Sequence, residues 1–224
     1  MQLYSGPLSL FSRKVEIALN EKRLPFERVM VPFSQAAGYS PKHPVVLAAN
    51  PKAQVPVLVD GDLTLFDSTL ILEYLEDAYP EPPLYPGDAK MRARCRLLEL
   101  EADEILLQPV RLLMYRTEPA HTDHARRQSQ EADGRRAEAA LKDHYGKLQA
   151  ILAKKDYFCG AFSVADIALF MTLLFARRLK GPGLDAHEGL ANWYVRVSKR
   201  PAVAVVAAEI AEADRVFSAP IQLT

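Results

Sequence analysis

Cysteine is scarce in this chain, and so is any run of residues apolar enough to live outside water. The two cysteines, Cys95 and Cys159, show no metal-ligand spacing and have no partner near them in sequence. They read as packed thiols of a reduced, cytoplasmic protein rather than as a disulfide framework. The longest apolar stretch, Ile167 to Ala176, falls far short of the roughly 20 residues that cross a bilayer. Arg13, Lys14 and Glu16 interrupt any apolar run near the start, so no signal peptide and no membrane association are expected. Charge of one sign is missing too. Lys and Arg together number 28, as do Asp and Glu, which argues against nucleic acid or anionic lipid as a partner. Internal repeats and low-complexity segments are absent.

Proline is thin in the second part of the chain: eleven of the sixteen lie at or before Pro86. With 224 residues there is room for one large or two small domains, and the prolines mark where to divide them. Four fall within seven positions of Tyr79-Pro-Glu-Pro-Pro-Leu-Tyr-Pro86, a stretch that no helix continues through. The expected division is a first domain over 1–78, a linker over 79–89 and an all-helical domain over 90–224.

Within the first domain, Gln2-Leu-Tyr4 reads as a strand ended by Gly6-Pro7. A helix from Ser12 to about Arg23 and a second strand at Phe26 to Val31 follow. Pro32 to Pro44 reads as loose chain, with a helical turn over 45–49. Two short apolar runs, Val57-Leu-Val59 and Leu63-Thr-Leu65, then flank Asp60-Gly61-Asp62, a strong hairpin signal. The second run ends at Asp67-Ser68, just before the helical series Leu70, Ile71, Leu72, Tyr74, Leu75. The order β-α-β-α-β-β-α is that of a thioredoxin-like domain.

In the second domain a helix is expected from Lys90 to about Arg116, kinked at Pro109. Another should run from His121 to Lys155. Ser163-Val-Ala-Asp166 is a capping box opening a helix that is apolar all round, and so expected at the centre of its domain. Leu190 to Lys199 and Ala202 to Val216 complete the helices, with Arg200-Pro201 between them.

Asn50-Pro51, Val55-Pro56-Val57-Leu58 and Asp67-Ser68-Thr69-Leu70-Ile71, with the later Ser163-x-x-Asp166 and Arg200-Pro201, resemble the cytosolic glutathione transferases, in particular serine-type, theta/zeta-like bacterial members. The resemblance covers essentially the whole chain. It implies an α/β N-terminal thioredoxin-like domain followed by an all-α C-terminal helical domain, and glutathione as co-substrate. By it Pro56 would be cis, leaving the backbone N–H and C=O of Val55 to pair strand-like with the cysteinyl part of the tripeptide. Ser68 would hold the γ-glutamyl carboxylate at a helix N-terminus, and Asp67 the ammonium, where most of the family carries Glu. Gln54, and also Lys42, would reach the glycyl carboxylate. A plain N-cap is the other reading of Asp67-Ser68.

A glutathione transferase must ionise a thiol. Lowering its pKa from about 8.5 to about 7 takes roughly 2 kcal/mol of preference for the thiolate. One hydroxyl hydrogen bond to an anion supplies about 1.5–3 kcal/mol, and a helix N-terminus adds about 0.3–1 kcal/mol. A single serine is enough. Counting back from Arg13-Lys-Val-Glu-Ile-Ala-Leu19, the family's catalytic serine falls on Ser9 and its tyrosine on Ser5; Tyr4 reads as a strand residue. Ser12 reads as a helix N-cap, which is also the alternative for Ser9.

The family would place a small hydrophobic electrophile near Phe11, Arg111, Met114 and Tyr115, and would form a homodimer serving detoxification. The absence of Ser-Ser-Cys at Ser9-Leu10-Phe11 lowers the isomerase reading. Leu3-Tyr-Ser-Gly-Pro, Leu58-Val-Asp and Pro80-Glu-Pro-Pro-Leu84 also look like stringent starvation protein A. That likeness implies a different function: a non-catalytic transferase-fold protein binding RNA polymerase.

Overall fold

In chain order β1 (Gln2–Ser5), α1 (Leu10–Glu21), β2 (Glu27–Met30), the short pair β3 (Phe33–Ser34) and β4 (Gly38–Tyr39), α2 (Pro44–Ala49), β5 (Val57–Asp60), β6 (Leu63–Phe66) and α3 (Ser68–Ala78) make up the start of the chain. The computed structural model describes residues 1–119 and 123–221. β1 pairs in parallel with β2 and antiparallel with β5, which pairs antiparallel with β6, giving the sheet order β2-β1-β5-β6. The parallel pair needs a crossover, and α1 supplies it. Leu3 opposite Leu58 faces one side of the sheet, where Val15, Leu19, Ile71 and Leu75 of α1 and α3 cover it. Tyr4 opposite Val57 faces the other, against Val31 and Val46. The two-residue period of the strands thus builds two half-cores from one sheet.

The Asp-Gly signal forms a two-residue turn. Asp60 pairs with Leu63, and Gly61 takes φ +60° while Asp62 does not go positive, a type II′ arrangement. Asp60 Oδ2 then accepts hydrogen bonds from Tyr79 at 2.6 Å and Tyr74 at 2.8 Å, which hold its carboxyl below the ordinary range. The hairpin is thereby tied to α3.

The proline-rich stretch expected as a linker is fastened down. Lys22 Nζ lies 2.8 Å from Glu76 Oε2, both groups buried, and donates to the carbonyls of Tyr79 and Pro82. Glu76 accepts from the N–H groups of Leu84 and Tyr85. The first compact unit therefore runs from Met1 to Tyr85, and it also includes the last helix, α9 (Pro201–Phe217), which sequence reading had placed with the helical domain. Glu209 of α9 explains why. It accepts from Arg13 at 2.6 Å and from both terminal nitrogens of Arg28, while Arg13 and Arg28 also reach Glu16. Ser5 Oγ completes the network, donating to Glu16 at 2.5 Å.

Burial alone would raise the Glu209 carboxyl, but hydrogen bonds from Arg28 and Arg13 outweigh it and hold the group below its ordinary range. Its folded pKa is depressed, so its contribution to stability is present above the ordinary glutamate value, about 4.3, and is lost as pH falls through the folded value. Glu209→Gln should therefore cost about 1 kcal/mol at neutral pH, a modest figure because the side chain is 34% exposed and screened. In urea titrations across pH, the gap from wild type should close on acidification to about pH 3.

The second unit spans Pro86–Arg200 with the segment from Ser218. Its helices are α4 (Ala89–Leu100), α5 (Leu107–Arg111), α6 (His124–Leu152), α7 (Val164–Arg178) and α8 (Glu188–Ser198). The expected start of α6 at His121 lies outside the described residues. Between α4 and α5 the chain winds as a π-helical stretch, Glu101–Leu106, so the irregularity precedes Pro109 instead of centring on it. The wider turn relieves the clash that the ring of Pro109 would make with the carbonyl four residues back, and Pro109 has no N–H to bond it. α7 is buried along nearly its whole length. Among the described residues, no helix is long and apolar enough to cross a membrane.

Candidate functional site

Three turns meet at one end of the four-stranded sheet, and the strand register puts them there. Tyr4 near the end of β1 lies opposite Val57 at the start of β5, and Val57 lies opposite Phe66 at the end of β6. The turn after β1 holds Ser9, the turn before β5 holds Val55-Pro56, and the turn after β6 holds Asp67-Ser68. α1 and α3 both begin at this end. Two helix N-termini, each with unsatisfied N–H groups and partial positive charge, are thus directed at the same region.

Ser9 is the N-cap of α1, with φ −90° and ψ 104°, and is 8% exposed. Its Oγ accepts from the backbone N–H of Ser12 at 3.2 Å and from the Ser12 hydroxyl at 2.9 Å. Ser12, expected as the cap, lies inside the helix and supports the true cap instead. The two readings of Ser9 are compatible, since capping uses the lone pairs of the oxygen and leaves its proton to be given away. Among the described residues no acceptor takes that proton. Ser5 is fully buried and spends its hydroxyl on Glu16. Tyr4 sits in β1 with its ring 4.6 Å from His43. Gly6, in the same turn as Ser9, has the Tyr39 ring where a Cβ would stand, so a larger residue does not fit.

The Val55–Pro56 bond is cis. Val55 is half-buried, and among the described residues its backbone N–H and C=O make no hydrogen bond. The loop before it is built by Asn50, a residue to which sequence reading gave no role beyond the Asn-Pro likeness. Its Nδ2 donates to the Gln54 carbonyl at 2.7 Å and its Oδ1 accepts from the Lys52 N–H at 2.9 Å. This fixes the backbone of Gln54 and leaves its side chain exposed. Lys42 is likewise exposed.

Asp67 has φ +77° and ψ 126°, a conformation that a side-chain-bearing residue adopts only when its surroundings enforce it. Its Oδ1 caps α3, accepting from the N–H groups of Thr69 at 3.0 Å and Leu70 at 3.4 Å. The carboxylate is exposed, and its Oδ2 has no partner among the described residues. Ser68 is buried, yet neither its N–H nor its hydroxyl is bonded among the described residues. The cap reading of Asp67 is therefore correct for one oxygen, and the other is available to a ligand.

Of the residues expected around a second substrate, Phe11 is half-buried in the first unit, with Lys14 Nζ 5.8 Å from its ring centre. In the second unit Arg111 and Met114 are exposed. Tyr115 is 8% exposed and packed, its ring 5.1 Å from the Arg127 guanidinium and its hydroxyl against Gly134.

Comparison with known proteins agrees with this architecture. The family model for the glutathione S-transferase N-terminal domain matches residues 3–83, and that for the C-terminal domain matches residues 122–196. A stringent starvation protein A homolog from Coxiella burnetii is 44% identical over 98 residues, 44% of either chain. Glutathione S-transferase 1 of Dianthus caryophyllus is 44% identical over 93 residues, 42% of this chain and 41% of that one. The chain spans less than half the length of these two curated relatives. The crystal structure of a glutathione S-transferase from Rhodospirillum rubrum superposes with a TM-score of 0.77 at 30% identity, covering 92% of this chain and 90% of the other. The chain belongs to the glutathione S-transferase family.

Proposed function

We propose that the protein is a glutathione transferase in which Ser9 stabilises the glutathione thiolate for attack on a small hydrophobic electrophile. The observation that carries this reading is the uncommitted proton of Ser9 at the start of α1, beside the free backbone groups of Val55. The cysteinyl backbone pairs with Val55, and the thiol then takes the Ser9 hydrogen bond. Ser68 and its N–H take the γ-glutamyl carboxylate, Asp67 Oδ2 the ammonium, and Gln54 the glycyl carboxylate. Phe11, half-buried in the first unit, is a contact for the electrophile; Tyr115 serves packing within the second unit. The exposed apolar side chains Leu97, Leu100 and Ile105 support a homodimer. The protein acts in the cytoplasm, in detoxification.

Ser9→Ala should lower kcat/KM for a small aryl halide by about 10–100-fold, the worth of a hydrogen bond to an anion. It should also raise the pH at which the rate reaches half its plateau. Ser9→Thr, which keeps both the cap and the donor, should retain most of the activity. Equal rates for wild type and Ser9→Ala would remove Ser9 from the mechanism.

The 44% identity to a stringent starvation protein A homolog favours a second reading, a non-catalytic transferase-fold protein that binds RNA polymerase. A chain that passes unretained over immobilised glutathione and co-purifies with polymerase would decide for it.

A further inference from the structure

One residue holds Ser9 twice over. Ser9 Oγ accepts from the Ser12 backbone N–H at 3.2 Å and from the Ser12 hydroxyl at 2.9 Å. A serine oxygen has two lone pairs and one proton, so Ser12 fills both places at which Ser9 could accept. Only the proton of Ser9 is left to give. Ser12 is fully buried inside α1, and water does not compete for its hydroxyl. Serine within a helix can turn its hydroxyl back to the carbonyl four residues earlier. Here that carbonyl belongs to Leu8, and among the described residues the Ser12 hydroxyl goes to Ser9 instead.

We propose that Ser12 is a positioning residue of the thiolate site: by occupying both acceptor positions of Ser9 Oγ it leaves Ser9 able only to donate, so that the site takes a thiol as its anion. The role rests on Ser9 being the thiolate donor. An unrestrained serine hydroxyl is indifferent, since it can donate to a thiolate or rotate and accept from a thiol S–H. Either form of the ligand then finds a partner, and ionisation gains little. With both lone pairs spent, the S–H finds no acceptor, while the thiolate meets a proton already aimed outward. That difference between the two protonation states is what makes a thiol more acidic. Donation from Ser12 also polarises the Ser9 O–H, because hydrogen bonds in a chain strengthen one another by about 10–30%. The proton shed by the thiol passes to solvent; neither serine takes it, and only the S–H bond breaks.

Ser12 acts through Ser9, so its substitution should move the ionisation and not the later chemistry. The test follows the thiolate absorption of bound glutathione, and kcat/KM for a small aryl halide, across pH in wild type, Ser12→Ala, Ser9→Ala and the double variant. Ser12→Ala suits the helix, alanine being its best former, and keeps the backbone N–H that Ser9 caps. It should raise the midpoint of both titrations by about half a pH unit. Below the midpoint the rate should fall about threefold, and the plateau at high pH should stay at the wild-type level. Loosened packing would instead lower the rate by one factor at every pH and leave the midpoint in place, a result that would overturn the proposal. Ser12→Thr, which keeps the hydroxyl, should keep the wild-type midpoint. Ser12→Cys fills the space with a much weaker donor and should repeat the alanine shift, which keeps the test open if the alanine variant misfolds.

In the Ser9→Ala background no hydroxyl is left to orient, and adding Ser12→Ala should shift nothing further. A shift of the same size in both backgrounds would contradict the proposal. Failure of the two roles is told apart in the same set. A midpoint raised by Ser9→Ala but unmoved by Ser12→Ala removes Ser12 alone. A midpoint unmoved by Ser9→Ala removes Ser9, and Ser12 with it.

Discussion

Asp166→Ala should lower the thermal midpoint by about 10 °C, if the variant accumulates as folded protein at all. The side chain is fully buried, and its two oxygens accept four hydrogen bonds. The Phe158 N–H at 3.1 Å and the Trp193 indole N–H at 2.8 Å reach Oδ1. The Ser163 N–H and hydroxyl, both at 3.0 Å, reach Oδ2. One carboxylate therefore caps α7, holds the turn that precedes it and anchors α8. Burial pushes the carboxyl up from its ordinary range, and the four donors oppose that shift. Truncation leaves three N–H groups in a water-free site, at about 1–3 kcal/mol each, of which relaxation recovers a part. A total of about 4 kcal/mol is expected. Trp193→Phe removes a single donor and leaves the other three, so its loss should be about a third as large. Calorimetric scans of the two variants check the ratio; equal losses would mean that the ring packing of Trp193 on Phe158, and not the hydrogen bond, carries the site.

Lys22→Met should cost a comparable amount in the first unit, about 3–5 kcal/mol, because it strands a carboxylate in the interior. Glu76 is 6% exposed, and the ammonium of Lys22 is its only cationic partner among the described residues. The same ammonium holds the carbonyls of Tyr79 and Pro82. The expected result is a lower urea midpoint together with proteolytic cleavage within 79–85 that is faster than in wild type. Adding Glu76→Gln should recover part of the loss. The amide oxygen still accepts from the N–H groups of Leu84 and Tyr85, and no buried charge remains. A single variant as stable as wild type would show that the pair contributes nothing beyond its own desolvation.

The parts legible in the sequence are those whose cause is local. Asp60-Gly61 made its turn because glycine supplies the positive φ that the hairpin demands. Ser163 and Asp166 lie three apart and so reach each other across the first turn of a helix. Asp67-Ser68 was readable as a helix start and is one, although the positive φ of Asp67 left no trace in its residue type. The apolar period begins after Ser12 and points to it as the cap; the chain enters α1 one turn earlier, and Ser9 caps it. The β3–β4 pair leaves no signal in the sequence, since two residues per strand are too few to show alternation.

What stayed hidden depends on contacts between distant positions. Nothing near Glu209 announces that Arg13 and Arg28 will hold it, and so the sequence alone groups α9 with the helices that precede it. The lysine at position 22 looks like any charged residue at a helix end until Glu76 is set beside it. The candidate site shows the same division. Asp67 and Ser68 can be picked out locally, and Ser9 and Val55 only through the family resemblance, but the sheet register is what gathers their turns at one end.

The central claim is that the first unit binds glutathione and makes its thiol more acidic. Isothermal titration of glutathione at pH 7, repeated in buffers of different ionisation enthalpy, measures this as protons released on binding. If binding lowers the thiol pKa from about 8.5 to about 7, roughly half a proton should leave per glutathione bound. S-Methylglutathione, which has no thiol proton, should bind at the same site and release none. Absence of binding, or the same proton count for both ligands, would contradict the account.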